Sequence, residues 1–273
     1  MRNLLLLCFL LTCTALRIAP SPIGLSPADG LIAYYSFDHC DARDDTQQGS
    51  DGILHGTITC RCGVSNNGIY LNGIQDYVSF QGKVNQCFNT TDFSLSFYFK
   101  PSSYVVYKQS LLSKRDSCDQ NKMLDIRLNL HQKIVQTEFY EHENKSYPDV
   151  SPDLPQGDWF HFALVREGIW LYSYLNGELQ KKARRCSGVD ISNEAWLALG
   201  HSPCIGEDGT RGFKGVIDEL SVYDRALSEV EIAQCYARFP VETAEVDCVS
   251  WNSKKNEKDL PNQKESEYLC SRN

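Results

Sequence analysis

The segment FSLSFYF, residues 93–99, sets Phe93, Leu95, Phe97 and Phe99 against Ser94, Ser96 and Tyr98 in strict alternation. Successive side chains of an extended strand point to opposite faces, so this spacing fits a half-buried strand and no helix. Similar runs recur along the chain: LIAYYSF from Leu31, GIYLNGIQDYVSF from Gly68, MLDIRLNL from Met123, WFHFALV from Trp159, IWLYSYLNGEL from Ile169 and AWLALG from Ala195. Clusters of Gly, Asn, Asp and Pro separate them. Glu167-Gly168 and Asn176-Gly177 fall where tight hairpin turns are needed, so the middle of the chain is expected to be an antiparallel meander. The fold expected is all-β, a two-sheet antiparallel jelly-roll sandwich with one short C-terminal helix. That helix announces its start: Ser228 and Glu231 form a capping box, while Leu227 and Ile232 occupy the positions of a hydrophobic staple.

The 273 residues suffice for one large domain with a sizeable core. Residues 1–15, with Arg2, an apolar run from Leu4 to Leu11 and small residues up to Ala15, read as a signal peptide. A variant reading makes Cys13 a lipid-bearing first residue and so brings a membrane partner, although Thr12 before it suits that poorly. Residues 16–29, with three prolines, form a leader, residues 30–240 the domain, and residues 241–273 a polar, Cys-containing tail. Ten cysteines follow the leader segment's start, an even number that indicates disulfides in an oxidising compartment and a secreted or cell-surface protein. Their connectivity is not legible; Cys186–Cys204 and Cys248–Cys270 are the local pairings. The formal charge of −8 and the scatter of Lys and Arg disfavour a nucleic-acid partner.

Motifs for catalysis are missing: there is no G-x-S-x-G, H-E-x-x-H, phosphate loop or strand-borne row of carboxylates, and the six histidines lack ligand spacing. No catalytic residue is assigned. Residues 35–52 crowd Asp38, Asp41, Asp44, Asp45 and Asp51 into one loop, a set of hard oxygen donors that suits Ca²⁺ or, equally, the capping of turns. If the strand GFKGVIDELSVY kept its period throughout, Asp218 would share a face with Val216, Leu220 and Val222, and a carboxylate there needs a partner. Trp170, Tyr172 and Tyr174 alternate on one strand, which supplies either a sugar-stacking row or a buried sheet face. Asn89 and Asn144 begin glycosylation tripeptides.

The ordered series YYSFD, DDTQQGSDGILHG, GIYLNGIQDYVSF, FSLSFYFKP, LLSK, GDWFHFALVREG, LYSYLNGEL, LALG and FKGVIDELSVYDRALSEVEI, spanning Gly30 to Ala237, resembles the laminin G-like jelly-roll domain of the concanavalin A-like lectin/glucanase and pentraxin superfamily. The resemblance implies a structural calcium ion held by Asp38, Asp44 and Asp218, although Gln47 and Gln48 stand where the family shows Gly-Asn. It also implies a secreted or cell-surface adhesion module that recognises a carbohydrate or protein surface without chemistry. A hydrolase or lyase acting on glycans on the same scaffold is the alternative, and a structural spacer the third reading.

Overall fold

The computed structural model describes residues 29–102, 107–246 and 248. The expected signal peptide, most of the leader, Cys13 and Cys270 lie outside the described residues. Two eight-stranded sheets face one another. The first runs β13 (Glu178–Arg184), β12 (Trp170–Leu175), β11 (Phe160–Glu167), β6 (Phe93–Pro101), β16 (Lys214–Tyr223), β4 (Asn67–Asn72) and β3 (Thr59–Cys62), with β1 (Leu31–Tyr35) also paired to β16. The second runs β10 (Lys145–Ser146), β9 (Ile134–His142), β8 (Met123–Asn129), β7 (Gln109–Lys114), β14 (Leu197–Leu199), β5 (Tyr77–Phe80) and β2 (Gly52–His55), with β15 (Arg211–Gly212) beside β7. All named pairs are antiparallel except β15 with β7.

The alternation of residues 93–99 becomes the wall of the core. Phe93, Leu95, Phe97 and Phe99 are fully buried between the sheets with Phe80, Phe139, Phe160, Phe162 and Phe213. Burying one such ring is worth about 2 kcal/mol of transfer free energy, so this row does much to fix which face of β6 turns inward. The two expected hairpins form, β11 to β12 and β12 to β13. Asn176 and Gly177 both carry positive φ, 49° and 77°, as a primed two-residue turn requires.

Helix α1 (Glu229–Arg238) starts as its caps predict: the Ser228 side chain accepts from the Glu231 amide, and Glu231 reaches back to the Ser228 amide. Leu227 and Ile232 are buried together against Ala163, Val165, Tyr174 and Tyr223, so α1 lies on the outer face of the first sheet. Ser94 locks the approach to it, donating to the Arg225 carbonyl and accepting from the Leu227 amide, both at 2.8 Å. Packing continues past residue 240: Val241 and Ala244 join Tyr98, Trp159 and Val216, and Glu245 receives Lys100 at 2.7 Å and the Trp159 indole at 3.1 Å.

One strand departs from its expected period. Between Asp218 and Ser221 the register of β16 against β6 shifts, with Glu219 at φ 52°. Glu219 and Leu220 together oppose Phe97, a β-bulge, so the parity of the strand reverses. Val216 and Asp218 face outward, whereas Leu220 and Val222 join Ile217 in the main core. The four residues therefore do not share a face.

The local disulfide pairings are also corrected. Cys204 bonds Cys118, Cys248 bonds Cys62, and Cys40 bonds Cys60. Cys186, expected to pair with Cys204, is an exposed thiol, and Cys87 and Cys235 are thiols too. Tertiary structure overrides sequence proximity here: the segment after β7 and the segment after β14 meet although they lie 86 residues apart, and Cys118 and Cys204 come to a Cα separation of 4.8 Å.

Candidate functional site

The outer face of the second sheet carries an open groove of about 300 Å³. Its floor is set by strand parity: Val78 and Phe80 of β5 and Leu197 and Leu199 of β14 point into the core, which turns Tyr77, Ser79 and Ala198 outward. Trp196, just before β14, stands at the rim half exposed, at 50%. Beside it three rings stack in a column. His55 lies on Tyr77 with centroids 4.0 Å apart and planes 4° from parallel, and Tyr77 lies on His201 at 4.6 Å. His55 Nε2 meets Ser79 Oγ at 2.9 Å, and Ser113 Oγ donates to the His201 carbonyl at 2.7 Å, so both ends of the column are tied to strands. Burial, with His55 nearby, holds the His201 imidazole below its usual pKa.

A buried charge network supports this groove. Arg115, which lines it, donates to Asp125 Oδ2 at 2.6 Å, to the Ser117 carbonyl at 2.8 Å and to the Asp119 carbonyl at 2.5 Å. Asp125 also receives Arg127, which reaches Glu138 at 3.0 Å and Asp208 at 2.5 Å. Asp125 is fully buried and the two arginines nearly so. Each charge is compensated, which is the condition under which such a cluster persists in an interior, and together they join β7, β8, β9 and the segment after Cys204. The Cys118–Cys204 bond closes the same end covalently. The result is a rigid polar surface with an exposed indole at its edge.

Sequence patterning did not identify this site. Asp125 and Arg127, two apart on the polar side of MLDIRLNL, were the available signal: opposite charges on the outward face of a strand whose inward face is wholly apolar. Trp196 was the analogous signal, a large aromatic on the side of the AWLALG alternation opposite Leu197 and Leu199.

The expected metal ligands are differently disposed. Asp44 is spent on donors of its own loop and of β1: its carboxylate accepts from the amides of Tyr34, Thr46, Gln48 and Ser50 and from the Thr46 hydroxyl. Asp218, fully buried, accepts from the amides of Val64 at 2.8 Å, Ser65 at 3.4 Å and Glu219 at 3.0 Å. Asp38 holds the same turn from the other side, accepting from Asn66 Nδ2 and the Asn67 amide. The structure thus gathers Asp38 and Asp218 around residues 63–67 and keeps Asp44 apart from them. Burial raises the Asp218 pKa well above the carboxylate range, with Glu219 adding to the effect, and burial lifts Glu219 to about 7. Among the described residues, the group that brings three ligand atoms within 4.8 Å is Cys118, Cys204 and Asp208, and its two sulfurs are bonded to each other. Asp38, Asp44 and Asp218 do not fit a single ion in this geometry.

The aromatic row on β12 divides. Tyr174 is buried beneath α1, while Trp170 and Tyr172 stay half-buried under the side chains of β13. The sequon residue Asn144 is exposed and Asn89 is half-buried.

Two antiparallel sheets around one aromatic core, with a ring-lined groove outside, define a jelly roll of the lectin type. Residues 72–233 match the Laminin_G_3 family, described as the concanavalin A-like lectin/glucanases superfamily, and the chain belongs to that family. No curated protein matches the sequence. Among solved structures the fold is similar to domain 4 of a GH43 extracellular arabinanase from Geobacillus stearothermophilus in complex with arabinotriose, at TM-score 0.56 and 24% identity, covering 75% of this chain and 97% of that one. It is also similar to the binding domain of Paraclostridial Mosquitocidal Protein 1, at TM-score 0.62 and 15% identity over 77% of this chain, and to the binding domain of botulinum neurotoxin DC in complex with SialylT, at 0.56 and 11% over 78%. The chain spans about half the length of those two toxin domains, 52% in each case.

Proposed function

We propose that this protein is a non-catalytic, extracellular carbohydrate-binding module whose ligand lies in the groove between Trp196 and the His55–Tyr77–His201 column. The observation that carries the reading is the half-exposed indole beside a fixed ring column and the hydroxyls of Ser79 and Ser113, the mixture of apolar platform and convergent polar groups that a sugar ring needs. A preformed groove loses little entropy on binding, and the charge network beneath it supplies that rigidity. The similar arabinanase domain, in complex with arabinotriose, supports a sugar ligand, and the disulfides support an oxidising compartment.

Hydrolysis by the general two-carboxylate route calls for a pair of acids flanking one bond. Glu194 is the carboxylate among the residues lining the groove, and Asp125 below is held by two arginines. That distribution supports binding over turnover.

The test is a neutral-glycan panel titrated against the protein and Trp196→Ala by calorimetry. Loss of a platform stacking contact of about 1.5 kcal/mol or more weakens the best ligand at least tenfold. Equal affinity for the variant, or consumption of the glycan by the parent, overturns the reading.

A further inference from the structure

The cations of this acidic chain are not spread evenly. Residues 181–185, Lys-Lys-Ala-Arg-Arg, place four positive side chains on β13 and its exit in a protein of formal charge −8. Strand β13 is the edge of the first sheet, paired on one side to β12. The cross-strand register sets Lys182 opposite Tyr172 and Arg184 opposite Trp170, all on the outward face. Lys182 Nζ stands 4.1 Å from the Trp170 ring centroid and 5.1 Å from that of Tyr172, and the Arg184 guanidinium is 5.6 Å from Trp170. Both cations are exposed. Neither has a carboxylate within ion-pair distance among the described residues, whereas Lys181 approaches Asp149 at 3.6 Å and Arg185 donates to the Asn144 carbonyl.

We infer that this edge is a second binding site, separate from the groove and specific for anionic polysaccharide. Guarding a sheet edge against pairing needs only charge. Here the charges also rest on two half-buried rings, and this pairing has a direct chemical complement. The rings hold the two cations in place, so that the guanidinium fork of Arg184 and the point charge of Lys182 meet the sulfate or carboxylate groups of such a polymer. A lipid surface is a poorer fit, because membrane docking uses protruding apolar side chains and these rings lie under the cations. A nucleic acid needs a longer cationic stripe than one strand edge provides.

The experiment titrates the intact protein with dextran sulfate, polygalacturonate, uncharged dextran and vesicles containing an anionic lipid, at two salt concentrations. Binding to one or both anionic polymers and not to dextran is expected, the two polymers separating sulfate from carboxylate as the recognised group. Neutralising two anionic groups makes affinity fall about tenfold between 50 and 200 mM salt. The exposed double substitution Lys182→Ala with Arg184→Ala abolishes that salt-dependent part while Trp196→Ala leaves it unchanged, so this site and the groove fail or stand independently. Absence of binding to both anionic polymers, parental affinity in the double variant, an equal loss in Trp196→Ala, or binding to vesicles alone overturns the inference. Lys182→Glu serves as the second variant, and its melting temperature, matched to the parent, excludes unfolding as the cause.

Discussion

His161, Asp218 and Glu219 lie on the face of the first sheet that α1 and the chain after it cover, and they pull the pH dependence of stability in opposite directions. Burial holds His161, whose ring stands 5.7 Å from that of Tyr236, down at about 3. Its neutral native form therefore contributes fully above 6.5, and that contribution is lost as pH falls towards 3. Glu219 is raised from 4.5 to about 7, so its protonated native form contributes fully below 4.5 and the contribution fades as pH rises through 7. Asp218, also raised by burial, adds to the direction of Glu219. The tyrosines here, Tyr34, Tyr98 and Tyr223, are raised and stay neutral throughout this window. Between pH 4.5 and 6.5 each group sets a slope of up to about 1.4 kcal/mol per pH unit. Urea unfolding across that window should show His161→Phe losing stability more steeply than the parent as pH rises, and Glu219→Gln less steeply; parental slopes in both variants would refute the burial of these groups. Asp218 itself is expected to act through its three amide donors. Asp218→Ala should cost about 2 kcal/mol, and millimolar calcium should leave the melting temperature of the parent unmoved. A calcium-dependent rise that Asp218→Ala removes would reinstate the ion.

At the scale of elements, the groove depends on segments that are far apart in sequence. The β7–β8 connection and the segment after β14 are held by Arg115, Arg127 and the Cys118–Cys204 bond, which spans 86 residues. By the loop-entropy account, a cross-link of that span contributes about 4.6 kcal/mol at most. Replacing both cysteines by serine should therefore lower the unfolding free energy by up to about that amount and weaken sugar binding in the groove, read by urea titration and calorimetry. Stability lost with sugar affinity intact would mean that the ionic network alone positions the loops. The edge formed by β12 and β13 lies on the other sheet, and its affinity for polyanions should not follow this change.

For the molecule as a whole, the architecture was legible because its cause is periodic. FSLSFYF, the Asn176-Gly177 turn and the Ser228 cap each act over a few residues, and the structure contains all of them, while the first hairpin turns one residue later than expected, at Gly168-Ile169. What escaped was set by encounters between distant strands. The bulge at Glu219 adds one residue that no two-residue period reveals, and it moved Leu220 and Val222 to the core side. Cys118 finds Cys204 across 86 residues of chain, a meeting not written at either cysteine. Arg115, Asp125 and Arg127 look like a solvated face until the connecting loops are seen to cover them. Trp170 and Tyr172 were visible as a row, yet the cations above them came from the neighbouring strand.

The position of β16 in the first sheet has a bearing on how the chain is made. This strand comes last in chain order among the described strands, but it sits between β6 on one side and β4 and β1 on the other. Until residues 214–223 leave the ribosome, those three strands have no common neighbour and their backbone edges stay open. The first sheet is therefore completed from its middle, by pairings of long sequence separation that can form only once residues 214–223 are available.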